Sequence, residues 1–240
     1  MMIMKKYALV ILFISLIFNG CRKDYYWPTA QERLDYGARR IFICTVMKAV
    51  EAVQFCELFQ EYNDASGDEK ILDKYKEIRK NVTKEGNNTY NISYYGSLSG
   101  KFTTSDIAVN VKGGAIVFED IGLTVSCVDD GEWEIKMSDG QYNWHDKINY
   151  TATYKKSEDS GRTADITIDG TLISESRDTD GYKAEFYSDG DIHHIGGNIY
   201  SGIFKMTTFD DKGSKLDEYA LRLGNMSETL TTPVDDSRCW

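Results

Sequence analysis

Apolar and polar residues alternate with a period of two through residues 123–223, and a turn signal closes each alternating segment. The signals are Asp130-Gly131, Asp139-Gly140, Asp159-Ser160-Gly161, Asp180-Gly181, Asp189-Gly190 and Lys212-Gly213. Asp-Gly pairs suit tight turns with positive φ, whose twist matches that of an antiparallel hairpin. The pattern predicts a meander of antiparallel strands, buried on one face and wet on the other. Residues 132–138 show it most cleanly, with Trp133, Ile135 and Met137 on one side and Glu132, Glu134 and Lys136 on the other.

The same reading places strands at 89–98, 100–104, 107–111, 115–118 and 123–127, where Leu123, Val125 and Cys127 share the inward face. Further strands fall at 142–154, with Tyr142, Trp144, Ile148, Tyr150, Ala152 and Tyr154 on one face, and at 164–172, with Ala164, Ile166, Ile168 and Leu172 together. Gly170 keeps this register, so Asp169-Gly170 is either a turn or a kink within one strand. Strands at 182–186, 199–209 and 216–223 complete the meander, and the segment after 224 has no period.

A period of 3.6 governs the region before it. Thr29-Ala30-Gln31-Glu32 fits a capping box, and a long helix is expected from there to about residue 62. Ile41, Phe42, Ile43, Cys44, Val46, Met47, Ala49, Val50, Val53, Phe55, Leu58 and Phe59 cover nearly its whole circumference. A helix apolar all round is buried on most sides. Lys48, Glu51 and Glu57 interrupt it, and charges at mid-bilayer are costly, so shelter inside a sheet is expected rather than insertion in lipid. A second helix is expected over 68–82, with Ile71, Tyr75, Ile78 and Val82 on one face and Lys70, Asp73, Lys74, Glu77 and Lys80 opposite. The expected fold class is α+β: an N-terminal helix pair packed into a strongly curled, mostly antiparallel β-sheet or partly open barrel. The organisation is a leader (1–20), a tether (21–28), a helical segment (29–84) and a β domain (85–240), the last two forming one structural unit.

The leader has a basic start at Lys5-Lys6 and an apolar run over 8–18. That run falls short of the roughly 20 residues a spanning helix needs, and its flanks are those of a secretory signal. Ile17-Phe18-Asn19-Gly20-Cys21 resembles the lipobox of bacterial lipoproteins with type II signal peptides. The resemblance implies cleavage before Cys21 and a lipid on that cysteine. Arg22, where an acidic residue would signal inner-membrane retention in some Gram-negative bacteria, implies outer-membrane delivery. Arg22-Lys23-Asp24 is similar to the charged tags of surface-exported lipoproteins. The implied location is the outer membrane, lipid-anchored, facing the periplasm or the exterior.

Charge excludes one class of partner. The 240 residues carry a net −10, and loss of Lys5 and Lys6 lowers 28 basic residues to 26 against 38 acidic ones, a net −12. Nucleic acid would be repelled. Cys44, Cys56, Cys127 and Cys239 are disulfide candidates in an oxidising compartment. Twelve residues along one helix put Cys44 and Cys56 about 18 Å apart, beyond the reach of a disulfide. The helix is therefore expected to be tied to the sheet through Cys127 and to the C-terminal segment through Cys239, in either combination.

Signals for chemistry are few. No Gly-x-Ser-x-Gly elbow, His-Glu-x-x-His, P-loop or Cys-x-x-Cys occurs. His193-His194 lies near Asp189 and Asp191, and His145 sits between Trp144 and Asp146, but neighbours on a strand point to opposite faces. Asp178-Thr179-Asp180-Gly181 opens like a calcium loop without the rest of one. No metal, cofactor or catalytic residue is assigned. Sixteen Tyr and four Trp suit a surface that stacks on sugars, with Tyr95 and Tyr187 as the glycan-contact candidates and Tyr25, Tyr26 and Trp27 in the tether. The expected function is a non-catalytic binding or structural and assembly module of the cell envelope. The alternatives are a glycan-binding accessory protein and, second, a hydrolase with a carboxylate site. Its partners would be the membrane, through the lipid, and a glycan or another envelope protein.

Overall fold

The computed structural model describes residues 30–65, 75–141, 146–157, 163–175, 181–195 and 198–223. The chain divides into two compact units, Met1–Leu34 and Asp35–Trp240, and the second is described here. A long helix, α1 (Ala30–Asp64), leads into it and is followed by the six-residue α2 (Lys76–Asn81). Among the described residues twelve strands follow: β1 (Val82–Lys84), β2 (Thr89–Tyr95), β3 (Leu98–Thr104), β4 (Ala115–Phe118), β5 (Leu123–Asp129), β6 (Glu132–Gln141), β7 (Asp146–Lys156), β8 (Thr163–Ser174), β9 (Lys183–Ser188), β10 (Ile192–Ile195), β11 (Asn198–Phe209) and β12 (Lys215–Leu223). All pair antiparallel in one sheet. Its order follows the chain from β1 to β8 and continues through β10, β11 and β12, while β9 pairs with β8 and β11.

The β-rich antiparallel fold is as the alternation predicts, but the described residues do not support the expected helix pair. The expected second helix is described only over Lys76–Asn81, and its residues 68–74 lie outside the described ones. Tyr75 and Ile78 are buried, as the helical spacing required. At Val82 the backbone turns extended (φ −106°, ψ 126°), and a β-branched Val-Thr pair starts β1 instead of continuing the helix.

Turn signals proved ambiguous where the strand had to jog. Asp130-Gly131 and Lys212-Gly213 do join paired strands, β5 to β6 and β11 to β12. Asp139-Gly140 instead lies inside β6, where the register against β7 slips between Met137 and Gly140. Asp189-Gly190 is not a hairpin either. β9 fills the gap between one half of β8 and one half of β11, and β10 fills the gap between their other halves, so the two are successive lengths of one interrupted strand. Asp169-Gly170 is not a turn, since β8 runs unbroken through it. The expected strand at 89–98 is split by a tight turn at Gly96-Ser97, with Tyr95 opposite Leu98. Residues 107–111 form a loop, not a strand. Its Val109 is buried and donates its N–H to Gln60 Oε1 at 3.0 Å, so this apolar segment caps α1 instead of joining the sheet.

The core lies between α1 and the inward face of the sheet. From Ile41 to Phe59 the helix buries Phe42, Cys44, Val46, Val50, Phe55 and Cys56 among others, and leaves a narrow stripe through Met47, Gln54, Leu58 and Glu61 less covered. Phe55 packs against Phe102 of β3 and Phe118 of β4, with ring centroids 5.5 and 5.6 Å away. Phe59 meets Tyr90 of β2 at 5.0 Å. At the other end of the helix Phe42 meets Phe204 of β11 at 5.0 Å. Strands distant in sheet order thus share one helix, and each buried ring contributes about 2–3 kcal/mol of apolar transfer. Glu57 of α1 pairs with Lys156 at the end of β7. No helix among the described residues is long and apolar enough to cross a membrane.

Candidate functional site

A cleft of about 770 Å³ opens where the middle of α1 passes two turns and a bulge of the sheet. Its walls are Lys48 from α1, Tyr94 and Ser97 at the β2–β3 turn, Asp120 in the 3-10 turn Glu119–Ile121, and Ser138 and Asp139 in the β6 bulge.

Each wall is fixed by a short-range device. Glu51, one turn beyond Lys48, accepts hydrogen bonds from the Ser97 N–H at 3.0 Å and from the Ser97 hydroxyl. Gly96 is left-handed (φ +54°), and a Cβ there would lie 1.2 Å from Glu51 Oε1, so only glycine lets the carboxylate reach the turn. Asp120 accepts the Lys101 N–H at 2.7 Å, and neighbouring Glu119 pairs with the Lys101 ammonium at 3.1 Å. The bulge is pinned from both sides. Ser138 donates its N–H to Gly122 O at 2.9 Å, and Asp139 donates its own to Asn149 Oδ1 at 2.8 Å. Asp139 has φ +52°, unlike any other non-glycine residue among the described ones. Bulges re-aim side chains beside functional sites, and positive φ outside glycine persists only where the surroundings hold it.

Lys48 gives the cleft its electrostatic character. It is 2% exposed. Burial pushes its pKa down to about 7, against the opposing pull of Glu51. The cleft therefore combines an amine that is partly neutral near pH 7 with serine hydroxyls, carboxylates and the ring of Tyr94, which is 51% exposed. Donors and acceptors held by backbone contacts beside an aromatic face suit a polar, hydroxyl-rich ligand.

No protein-family model matches the chain, and neither does any curated protein or solved structure. The site must be read from its own chemistry.

The residues singled out from the sequence are scattered rather than gathered here. Tyr95 is half-buried with its ring 5.3 Å from that of Phe55, because the hairpin register turns it onto α1 and leaves Tyr94 as the outward ring. Tyr187 is exposed as expected, with the Lys205 ammonium 5.9 Å over its ring, but it does not line the cleft. Tyr150 and Tyr154 face the core, and burial pushes the Tyr154 hydroxyl up to about 12. Cys56 and Cys127 are free buried thiols, so the expected tie between helix and sheet through Cys127 is not made. The Cys127 thiol turns instead to donate to Asp129 O at 3.2 Å, and burial raises the pKa of both thiols. Cys44, also buried, is not one of the free thiols. Cys21, Cys239, the tether aromatics, Tyr142, Trp144, His145 and the acids of the calcium-like turn lie outside the described residues. His193 is exposed with Nδ1 2.5 Å from Asp165 Oδ1, whereas His194 is buried, so the two imidazoles diverge as strand geometry requires. No group of three His, Cys, Asp or Glu side chains suited to a metal occurs among the described residues.

Sequence reasoning missed Lys48 and the bulge. The lysine was visible as the charge interrupting an all-round apolar helix, a position where only a group with a polar destination is tolerated. Ser138-Asp139 was hidden inside an apparent turn.

Proposed function

We propose that this protein is a lipid-anchored binding module of the bacterial cell envelope whose cleft takes a hydroxyl-bearing, glycan-type ligand. A lipid on Cys21 holds it at the outer membrane. A strongly curled sheet shelters the long helix α1 and presents the cleft at one side. The observation that carries the reading is the cleft itself, where hydrogen bonds hold Ser97 at the β2–β3 turn, Asp120 in the 3-10 turn and the Asp139 backbone in the β6 bulge, beside the exposed ring of Tyr94. Pre-set polar groups with a stacking ring let a binding site hold sugars without first ordering its own loops.

Two measurements test it. Calorimetric titration with a panel of non-reducing oligosaccharides is expected to find a ligand, with Tyr94→Ala and Asp139→Asn each weakening it at least about tenfold, or 1.4 kcal/mol. Both substitutions spare the fold, since Tyr94 is exposed and asparagine tolerates left-handed backbone. A panel without a ligand, or binding that both variants retain, overturns the ligand class. Separately, Cys21→Ser is expected to move the protein from the membrane fraction to the soluble one. Continued sedimentation with membranes would remove the anchor.

A further inference from the structure

We propose that the ligand of the cleft is a neutral linear polysaccharide, which leaves the cleft over the β6 bulge and crosses the outer face of the sheet as far as Tyr187. This rests on the glycan reading above and extends its site from the cleft to a path across four strands.

A second hollow, of about 310 Å³, lies on the outer face of the sheet, and Met137 and Ser138 line both it and the cleft. The bulge at Ser138-Asp139 is therefore where the two hollows meet, and bulges are where a sheet re-aims its side chains. Register sets the rest of the path. Lys136 of β6 stands opposite Thr151 of β7, Thr151 opposite Asp169 of β8, and Asp169 opposite Tyr187 of β9. All four are exposed and alternate with the buried Met137, Tyr150, Gly170 and Phe186, so they share the outward face. Short side chains on β7 and β8 leave this face low between Lys136 and Tyr187. The row spans three strand spacings, about 14 Å. A ligand that reaches from the cleft to its far end is a chain rather than a single sugar.

The polar groups along the row are unspent. Elsewhere on the same face the Thr153 and Thr167 hydroxyls bond each other at 2.5 Å. In the hollow the side chains of Thr151, Asp169 and Thr171 make no hydrogen bond or ion pair among the described residues, which leaves their oxygens for ligand hydroxyls. Tyr187 closes the row. It is 42% exposed, and the Lys205 ammonium, itself held by Asp189 at 2.6 Å, lies 5.9 Å over its ring. A ring fixed in this way offers an apolar face to a sugar at little entropic cost. Charge selects the kind of chain. Lys136 is paired with Glu134 at 2.7 Å and Lys205 with Asp189, Asp169 adds a negative charge, and the whole sequence carries −10, so an acidic polysaccharide meets repulsion.

The test titrates the unaltered protein with oligosaccharide ladders cut from dextran, pullulan, mannan and laminarin, from the disaccharide upward. Affinity is expected to rise at least about tenfold along one ladder. Two variants locate the gain. Tyr187→Ala removes the far platform, and Thr151→Arg fills the hollow from an exposed position. Each is expected to bring long-chain affinity down to that of the disaccharide and to leave disaccharide binding unchanged, which also reports that the variant is folded. Tyr94→Ala is expected to weaken both. Affinity that does not grow with chain length, or a gain that either variant retains, overturns the path and leaves the cleft reading standing. A protein that binds no member of any ladder overturns the cleft reading, and the path with it.

Discussion

A lysine at 2% exposure destabilises the fold it sits in, whatever it does at the cleft. Its folded pKa of about 7 lies below the ordinary 10.5, so between those two values the unfolded chain binds more protons than the native one. Stability contributed through Lys48 therefore rises with pH from about 7 to about 10.5 and is lowest below pH 7, with a full span on the order of 5 kcal/mol. Lys48→Met keeps the length of the side chain and removes the titration. Urea denaturation across that pH range is expected to show the variant more stable than the parent below pH 7, with the gap closing as pH approaches 10. A constant gap would mean that Lys48 is not desolvated in the native state. The buried thiols titrate in both proteins and cancel in the difference. At the same scale, Gly96 shows how one missing side chain admits Glu51 to a turn and so builds a wall of the cleft.

Strands show what a period of two encodes and what it leaves open. Alternation identified which residues of β5, β6, β7 and β8 face inward, because that depends only on the pleat. It did not distinguish a hairpin from a jog, since Asp189-Gly190 and Asp139-Gly140 supply the same positive φ to either. Which one forms is decided by partners far away in sequence, here β8 and β11 for the first and β7 for the second. Residues 107–111 look like a strand because Ile107, Val109 and Val111 alternate, yet only Val109 finds a buried place, at the end of α1. The cleft was illegible for a related reason. Four segments build it, and none carries a motif. Gly170 illustrates an element-level constraint that can be measured. A Cβ there would stand 2.5 Å from Asn149 O and 2.6 Å from both Phe186 Cζ and Tyr150 Cβ, pressed from β7 and β9 at once. Gly170→Ala is expected to lower stability by about 2–3 kcal/mol, read as a lower urea midpoint at unchanged m-value. An unchanged midpoint would show that β7 and β9 are looser around β8 than their spacing indicates.

At the scale of the molecule the all-round apolarity of α1 was the most informative feature of the sequence, because a helix without a wet face has to be enclosed. Its aromatic contacts reach β2, β3 and β4 near one end and β11 near the other. Removing a ring at either end should weaken the same cooperative unit. Phe42→Ala and Phe59→Ala are each expected to cost about 3–5 kcal/mol, with far-ultraviolet dichroism and Trp fluorescence moving together in a single transition. Two separated transitions would show that the sheet divides into independently stable parts.

The enclosure also has an order in time. Phe42 leaves the ribosome long before Phe204, the ring that covers it, and contacts so remote along the chain form slowly because their loop must close first. Until the last strands are made, the newborn helix is a bare adhesive surface. A chain truncated before β11 leaves Phe42 without that ring and is expected to aggregate or be degraded rather than form a smaller working domain, which solubility of the truncated chain on expression checks.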